Sequence, residues 1–456
     1  MEERKQAKHI VYGLNDKPSF GLWVIMGFQH VLTLFGATTL VPLILGPAIG
    51  MNQVQIGQFI SQVYLAMGIA TLIQVFWLGS GLPIVQGSSF SFLPPLFYII
   101  NKTKDGGVNN VMQAISGALI MGGVVEALMG YGKIIGLLKK VLTPVVIGPV
   151  IMLIGFGLAD VAVNTASSYW PISIIVVLLI FIFSLVSKSK TLNILSVISA
   201  VVIGYLIALL GTLMKIFPQG HPAFVKLSAV AQTGWFHAPK LFPYGAPKWD
   251  WGFFAAILAA YFASMIESVG DYHSVSYAAG LPDPDAEKIN RGIGAEGLAC
   301  IISGMLGGVG TTSYTENIGL INITGIASRY VVGMGAIILI LMSLIGKFGA
   351  LIASIPSPVI GGAYIALFGV IGGLGIQVLS RADLRSQRNI MIIGISVLLG
   401  LGFPPYIKQH PLAFNPTWLS GIINAILSTG MAVAGMVAIF FDQIVPGTPE
   451  ERGLKE

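Results

Sequence analysis

Four acidic side chains, Glu267, Asp271, Glu296 and Glu316, interrupt apolar sequence in the second half of the chain, and Glu126 does so in the first. Moving a carboxylate from water into apolar surroundings is expensive, so each of these positions demands a partner or a function. Glu267 and Asp271 stand four residues apart, which on a helix puts both on one face and lets both look into one polar cavity. Glu316 follows Gly310-Thr311-Thr312-Ser313-Tyr314-Thr315, a stretch rich in hydroxyls and poor in helix formers, and precedes Asn317. A half-helix starting there turns its free N–H groups and positive end toward the same cavity. Backbone donors, carboxyl groups and an amide close together suit a flat molecule whose edge alternates N–H and C=O groups, because a protonated carboxyl both donates and accepts.

Other polar residues admit two readings. Gln29 and His30 adjoin in the first apolar stretch and can brace such a cavity, whereas a lone buried histidine is otherwise a hydrogen-bonded core residue. Glu126, beside Gly122-Gly123, is either a structural hydrogen-bonded residue or a functional one, and Asp271 and Glu296 can also be packing residues. Glu267, Glu316, Asp271 and Glu296 are the candidates for carrying a coupling proton. The six histidines, His9, His30, His221, His237, His273 and His410, include no pair at metal-ligand spacing on one helix, so neither metal nor cofactor is expected. The single cysteine, Cys300, lies in an apolar run and forms no intrachain disulfide. An enzyme would need a nucleophile or paired-ligand constellation, and none is visible.

The elements that position these residues follow from composition. With 55% hydrophobic and 10% charged residues and a mean hydropathy of +0.83, the chain cannot cover a water-soluble fold. Its 57 glycines and 24 prolines sit inside apolar runs, where helix packing and helix breaks use them. The net charge of +6 comes from singly dispersed Lys and Arg rather than a basic face, which excludes a nucleic-acid partner. A span needs roughly 20 apolar residues. On that basis about fourteen spans are expected, centred near residues 31, 65, 92, 119, 147, 177, 202, 262, 299, 319, 338, 366, 395 and 428. The third, with Gly87-Ser88-Ser89-Phe90 before Pro94-Pro95, and the tenth are the least helical.

Residues 1–18 read as a polar cytosolic tail, with no cleavage-type site before the first apolar run. Lys and Arg near span ends stay in the cytosol. With the N-terminus inside, Lys133, Lys139, Lys140, Lys188, Lys190, Lys288, Arg291, Arg329, Arg381, Arg385, Arg388, Arg452 and Lys455 fall inside, and short outer loops keep only Lys102, Lys104, Lys347 and Lys408. Both termini are then cytoplasmic in a multi-pass protein of the cell membrane. The stretch 212–249, carrying Trp235, Phe236, Phe242 and Tyr244, falls outside and is expected along the interface. It separates seven spans in 19–211 from seven in 250–441, ahead of a cytosolic tail, 442–456. An odd number of spans per half makes the halves an inverted pair, and the echo of Gly87-Ser88-Ser89-Phe90 in Gly310-Thr311-Thr312-Ser313-Tyr314 supports this. Paired broken segments at equivalent places point to a transporter's binding site near mid-bilayer.

At these residues the chain resembles the nucleobase–ascorbate transporter family, also called nucleobase cation symporter 2, which includes uracil and xanthine permeases. The family signature, Gln, Glu or Pro, then Asn-x-Gly, four residues, then Thr and Arg, Lys or Gly, is matched from Glu316 through Asn317, Gly319 and Thr324 to Gly325. Gln29-His30, Gly87-Ser88-Ser89-Phe90 and Glu267-Ser268-Val269-Gly270-Asp271-Tyr272 match the family's first-, third- and eighth-span motifs. The resemblance implies an all-α membrane fold of fourteen spans in a 7+7 inverted repeat, with two strand-plus-half-helix spans. A core of spans 1–4 and 8–11 would face a gate of spans 5–7 and 12–14, through which members often dimerise. It implies that Glu267 and Glu316 hydrogen-bond the base, that backbone groups of Phe90 and Thr315 contact it, and that Asn317, Gln29 and His30 brace the site; Glu296 matches a ninth-span acidic position. Uracil permeases tend to carry His four residues after the eighth-span Glu and Arg at the signature's end, where this chain has Asp271 and Gly325. Purine carriers usually start the signature with Gln, where this chain has Glu316, so uracil and xanthine or urate both stay open.

The expected activity is nucleobase import by proton symport with alternating access, sodium being the other coupling ion to consider. Its closest rival is an anion transporter of the same 7+7 fold, of the sulfate or bicarbonate type, which predicts a cationic or neutral site. A channel would need a continuous polar ring instead of isolated broken segments.

Overall fold

The computed structural model describes residues 10–138 and 141–454. Residues 1–9 of the expected cytosolic tail, and Lys139, Lys140 and Lys455 of the orientation argument, lie outside the described residues. The first half contributes α1 (Phe20–Ile49), α2 (Gln53–Leu72), α3 (Leu93–Thr103), α4 (Gly107–Tyr131), α5 (Pro144–Phe156), α6 (Trp170–Phe181) and α7 (Ser196–Leu213). The second contributes α8 (Trp251–Ala278), α9 (Ala286–Leu306), α10 (Thr315–Thr324), α11 (Arg329–Ser343), α12 (Ser357–Leu379), α13 (Gln387–Gln409), α14 (Thr417–Leu427) and α15 (Gly430–Ile444), with short helical turns between some of them.

Helix boundaries follow local chemistry. Asn52 and Gln55 form a reciprocal capping box at the start of α2, and the side chains of Asp250 and Asp285 accept from Phe253 N and Lys288 N to start α8 and α9. Gly50 and Gly307 end α1 and α9 at φ of 89° and 72°, a conformation that costs other residues a steric clash.

Eight helices among the described residues are long and apolar enough to cross a membrane, or nine if Leu419–Leu427 and Gly430–Ile444, bent by 95°, make one broken span. The other expected centres fall on shorter or interrupted helices, apart from the one in α9, a continuous helix of 21 residues that carries Glu287, Lys288, Arg291 and Glu296. Thirteen of the fourteen expected centres still fall inside a helix or one of its short 3-10 turns, and the last, Ser428, sits at the break between α14 and α15. Leu178, Phe181, Leu206, Leu210, Ile390 and Leu398 are exposed, as side chains facing lipid would be.

Two helix groups emerge from the packing. One joins α1, α2, α4, α9 and α11; the other joins α5, α6, α7, α12, α13 and α15. Small residues let backbones touch within each: a Cβ on Gly130 would lie 2.2 Å from Gly294 N, and one on Gly155 would lie 2.4 Å from Gly372 N.

The broken spans supply the one sheet among the described residues. Strand β1 (Gln86–Ser88) runs antiparallel to β2 (Thr311–Ser313), with Gln86 opposite Ser313, Gly87 opposite Thr312 and Ser88 opposite Thr311. Each strand leads into a short helix, α3 or α10, as expected for strand-plus-half-helix spans. A glycine in each half makes room for an aromatic ring: a Cβ on Gly87 would fall 2.0 Å from Tyr314, and one on Gly310 would fall 2.5 Å from Phe92.

The stretch after α7, expected along the interface, folds back onto the helices. Trp235 and Phe236 stay exposed, but Phe242 N donates to Met305 O (2.7 Å), Lys248 N to Gln113 O (2.9 Å) and Tyr244 OH to Gln62 Oε1 (3.1 Å). Backbone N–H groups left free by the irregular chain are satisfied by docking near the ends of α4 and α9, and the Tyr244 hydroxyl reaches the middle of α2.

Candidate functional site

Where the strand pair meets the second helix group, a cavity of about 730 Å³ opens, within the size range of small-molecule sites, roughly 300–1,000 Å³. Its two walls differ in chemistry. One carries Ser88 at the end of β1, Ser89, Phe90 and Ser91 just after it, Glu267, Asp271 and Ser274 of α8, and Thr312 through Glu316 along β2 and the start of α10. The other is apolar, formed by Ile147, Ile151 and Ile154 around α5 and Leu367, Val370 and Ile371 of α12.

Glu267 and Glu316, from opposite ends of one sequence region, line this single cavity and are exposed to it. Neither makes a hydrogen bond to another side chain among the described residues, so both leave acceptor capacity facing the space. Glu316 lies in the first turn of α10, whose N-cap Tyr314 gives no side-chain cap, so N–H groups of that turn remain unclaimed by side chains. Thr315 also lines the cavity, and its Oγ1 donates to Asp271 Oδ1 at 2.8 Å, while Asp271 Oδ2 has no partner. Phe90, at the start of a 3-10 turn, presents its ring to the cavity and packs edge-on against Phe368, 5.6 Å between centroids.

The remaining expected site residues stand behind this surface. Asn317 Nδ2 lies 3.0 Å from both His30 Nδ1 and His30 O, which ties α10 to α1 through two buried residues. Gln29 shares the helix with His30 but is only partly buried and does not line the cavity. Glu296 is fully buried beneath the strands and does not line the cavity either. It accepts from Ser313 Oγ (2.5 Å), Ser268 Oγ (2.7 Å), Tyr272 OH (2.7 Å) and Gln86 Nε2 (3.2 Å). One carboxyl thus joins both strands to α8 and α9. Glu126, also fully buried, has no hydrogen-bond partner on either oxygen.

Sequence reasoning missed most of the supporting residues. Gln86, Ser268 and Tyr272 matter through Glu296, which comes from another span, and the apolar wall of α5 and α12 looks like any other membrane sequence. For Ser268 and Tyr272 a signal existed, since both lie inside the Glu267-to-Tyr272 motif.

Known proteins align with this arrangement. A family model, Xan_ur_permease, described as "Permease family", matches residues 21–409. The chain is 33% identical to human "Solute carrier family 23 member 2" over 99% of its own length and 77% of the relative's. It is 29% identical to Arabidopsis thaliana "Nucleobase-ascorbate transporter 12", covering 98% of this chain and 71% of that one. The transmembrane domain of a cyanobacterium bicarbonate transporter, BicA, superimposes with a TM-score of 0.58 at 14% identity, over 91% of this chain and 99% of that one. Murine Solute Carrier 26 family member A9, an anion transporter solved in the inward-facing state, gives 0.55 at 12% identity over 94% and 69%. At those identities the neighbours establish the fold, that of 7+7 inverted-repeat transporters. The family match over most of the chain, together with relatives aligned along nearly all of it, makes this protein a member of the nucleobase–ascorbate transporter family, a multi-pass membrane transporter.

Proposed function

We propose that the protein imports a nucleobase, uracil or an oxopurine of the xanthine or urate type, by proton symport with alternating access. The observation that carries this reading is that Glu267 and Glu316 line one cavity beside the antiparallel strand pair, with free acceptor capacity on both. The edge of a nucleobase alternates N–H and C=O groups, and carboxyls next to backbone N–H groups at a half-helix start match it in pairs. Relatives carrying nucleobases in their printed names point the same way. The bicarbonate and other anion carriers of this fold favour a rival cargo, but three acidic side chains line this cavity and repel an anion.

In this reading the base rests on Glu267, Glu316 and backbone groups of Phe90 and Thr315, braced by Asn317, His30 and Gln29, while the apolar wall of α5 and α12 slides past. Protonation on the outer side and release into the less acidic cytosol would couple the cycle to the proton gradient, with sodium as the ion to exclude. The cavity reaches Arg381 and His273, at the end that the distribution of Lys and Arg assigns to the cytosol, which supports reading this arrangement as open to the inside. A homodimer joined through the second helix group extends the family resemblance.

The test is uptake of radiolabelled uracil and xanthine into vesicles under an imposed pH gradient, with and without a sodium gradient, and with unlabelled urate, adenine and ascorbate as competitors. Gradient-driven uptake of a nucleobase that Glu267→Gln abolishes is the expected result. Uptake that Glu267→Gln leaves intact would remove Glu267 as the coupling group, and uptake of none of these compounds would overturn the reading.

A further inference from the structure

With α8 counted beside α4, on which it packs, the chain passes between the two helix groups in three connections: α4 to α5, at the end where the cavity opens near Arg381 and His273, and α7 to α8 and α11 to α12, at the opposite end. A single side chain bonds both crossings of that opposite end. Gln53, in the first turn of α2, donates from Nε2 to Lys226 O at 3.0 Å on one crossing and to Ala353 O at 3.3 Å on the other. The residue adjoining each of these is held by α7 instead: Val225 N donates to Thr212 Oγ1 at 3.1 Å, and the hydroxyls of Ser354 and Tyr205 lie 2.9 Å apart.

Neighbouring residues are therefore tied to different groups, Val225 and Lys226 on one crossing and Ser354 and Ala353 on the other. Successive Cα atoms are about 3.8 Å apart, so neither crossing contains slack at this point. Flanking contacts prevent the slack from being borrowed. On one side the ring of Phe217 fills the space beside Gly211 of α7, where a Cβ would come within 2.3 Å of it. On the other, Lys347 Nζ donates to Val230 O at 3.0 Å, which fastens the two crossings to each other. Relative movement of the groups at this end has to turn about these residue pairs or release Gln53.

We propose that Gln53 is a positioning residue for transport, the pin of a hinge on which the two helix groups turn. The inference rests on the alternating-access reading above, but it concerns the opening of the far end and not the identity of the cargo. With Gln53 in place the far end stays closed while the cavity opens at the other. Releasing both crossings raises the population of states opened at the far end.

The probe is a cysteine at Val201 of α7, a residue 6% exposed that packs beside Leu40 and Ile360 between the groups at the far end. Val201→Cys in purified full-length protein, without substrate, reacts with a maleimide only when that end opens. Gln53→Ala and the near-isosteric Gln53→Glu, which both lack the amide donor, are expected to speed this labelling about tenfold, the effect of two lost hydrogen bonds. Tyr205→Phe, which frees Ser354, is expected to act in the same direction and serves if the Gln53 variants fold poorly. Labelling of Ser274→Cys in the cavity and of buried Cys300 should not change. Labelling of Val201→Cys at the unmodified rate in these variants, or an equal acceleration at Cys300, which would signal general loosening, overturns the proposal. Since no nucleobase is present, a failure to transport nucleobases would strike the proposed cargo and leave this measurement readable.

Discussion

Thr315 Oγ1 and Asp271 Oδ1 meet at 2.8 Å on the cavity surface, so the start of the half-helix α10 is fastened to the C-terminal part of α8 beside Glu267 and Glu316. The bond fixes the direction of both backbone and carboxyl groups where cargo would sit. Thr315→Val keeps the shape and removes the donor, leaving Asp271 without a partner on either oxygen. Losing such a bond costs about 1–3 kcal/mol, so a roughly tenfold or greater fall in kcat/KM for uptake is expected, with Thr315→Ser close to the parent. Uptake kinetics across the three proteins checks it, and an unaffected Thr315→Val would show that this contact does not shape the site.

Gly87 and Tyr314 stand in a second close relationship, across the strand pair. A Cβ on Gly87 would overlap the Tyr314 ring at 2.0 Å, and the ring is itself held by a bond from Tyr314 OH to Ser88 O at 2.9 Å. Gly87→Ala is expected to destabilise the fold by about 1–3 kcal/mol through overpacking. Tyr314→Ala vacates the space, so the double variant should be more stable than the sum of the single losses predicts. Thermal unfolding of the four proteins supplies the cycle, and simple additivity would argue against the clash.

The carboxyls and the two broken segments were legible in the sequence because both are costly in apolar surroundings and stand out there. Glu267 and Glu316 could be brought to one cavity from helical spacing and a half-helix start, whereas the pairing of Asn317 with His30 followed only from the family resemblance. The register of Gln86 against Ser313 could not, since it depends on two strands brought together from different halves. The wall of Ile147, Ile151, Leu367 and Ile371 was invisible for the opposite reason: apolar residues facing a cavity and apolar residues facing lipid are written alike. Gln53 carries no local signal at all, because its two acceptors come from connections far away in sequence.

Glu296 and Glu267 should separate cleanly in experiment. Glu296 accepts four hydrogen bonds from side chains of β1, α8 and β2, whereas Glu267 accepts none from other side chains among the described residues. Glu296→Gln replaces an acceptor by a donor within a set of donors, a mismatch of about 1–3 kcal/mol. A fall in Tm is expected for Glu296→Gln, together with weaker uptake as the strands lose their support. Glu267→Gln should unfold like the parent and fail only in coupled uptake. Equal thermal stability of the two variants would return Glu296 to the role of a proton carrier without a structural duty.

Glu126 makes the opposite case. It is fully buried where α4 packs on α9, and neither carboxyl oxygen has a hydrogen-bond partner. A buried polar group without a partner keeps its desolvation penalty, and replacing it by an apolar group of similar shape is neutral or stabilising. Glu126→Met is therefore expected to raise Tm, by up to a few degrees for a gain of about 1 kcal/mol, whether or not the residue takes part in transport. The informative pairing is Tm with gradient-driven uptake. A more stable protein with unchanged uptake assigns Glu126 to packing alone, while a more stable protein that loses proton coupling makes this carboxyl a functional group whose cost the fold carries for the sake of the cycle. The second outcome is the one expected from a carboxyl kept unpartnered at membrane depth, because an acidic side chain that only filled space could be exchanged for methionine at no loss.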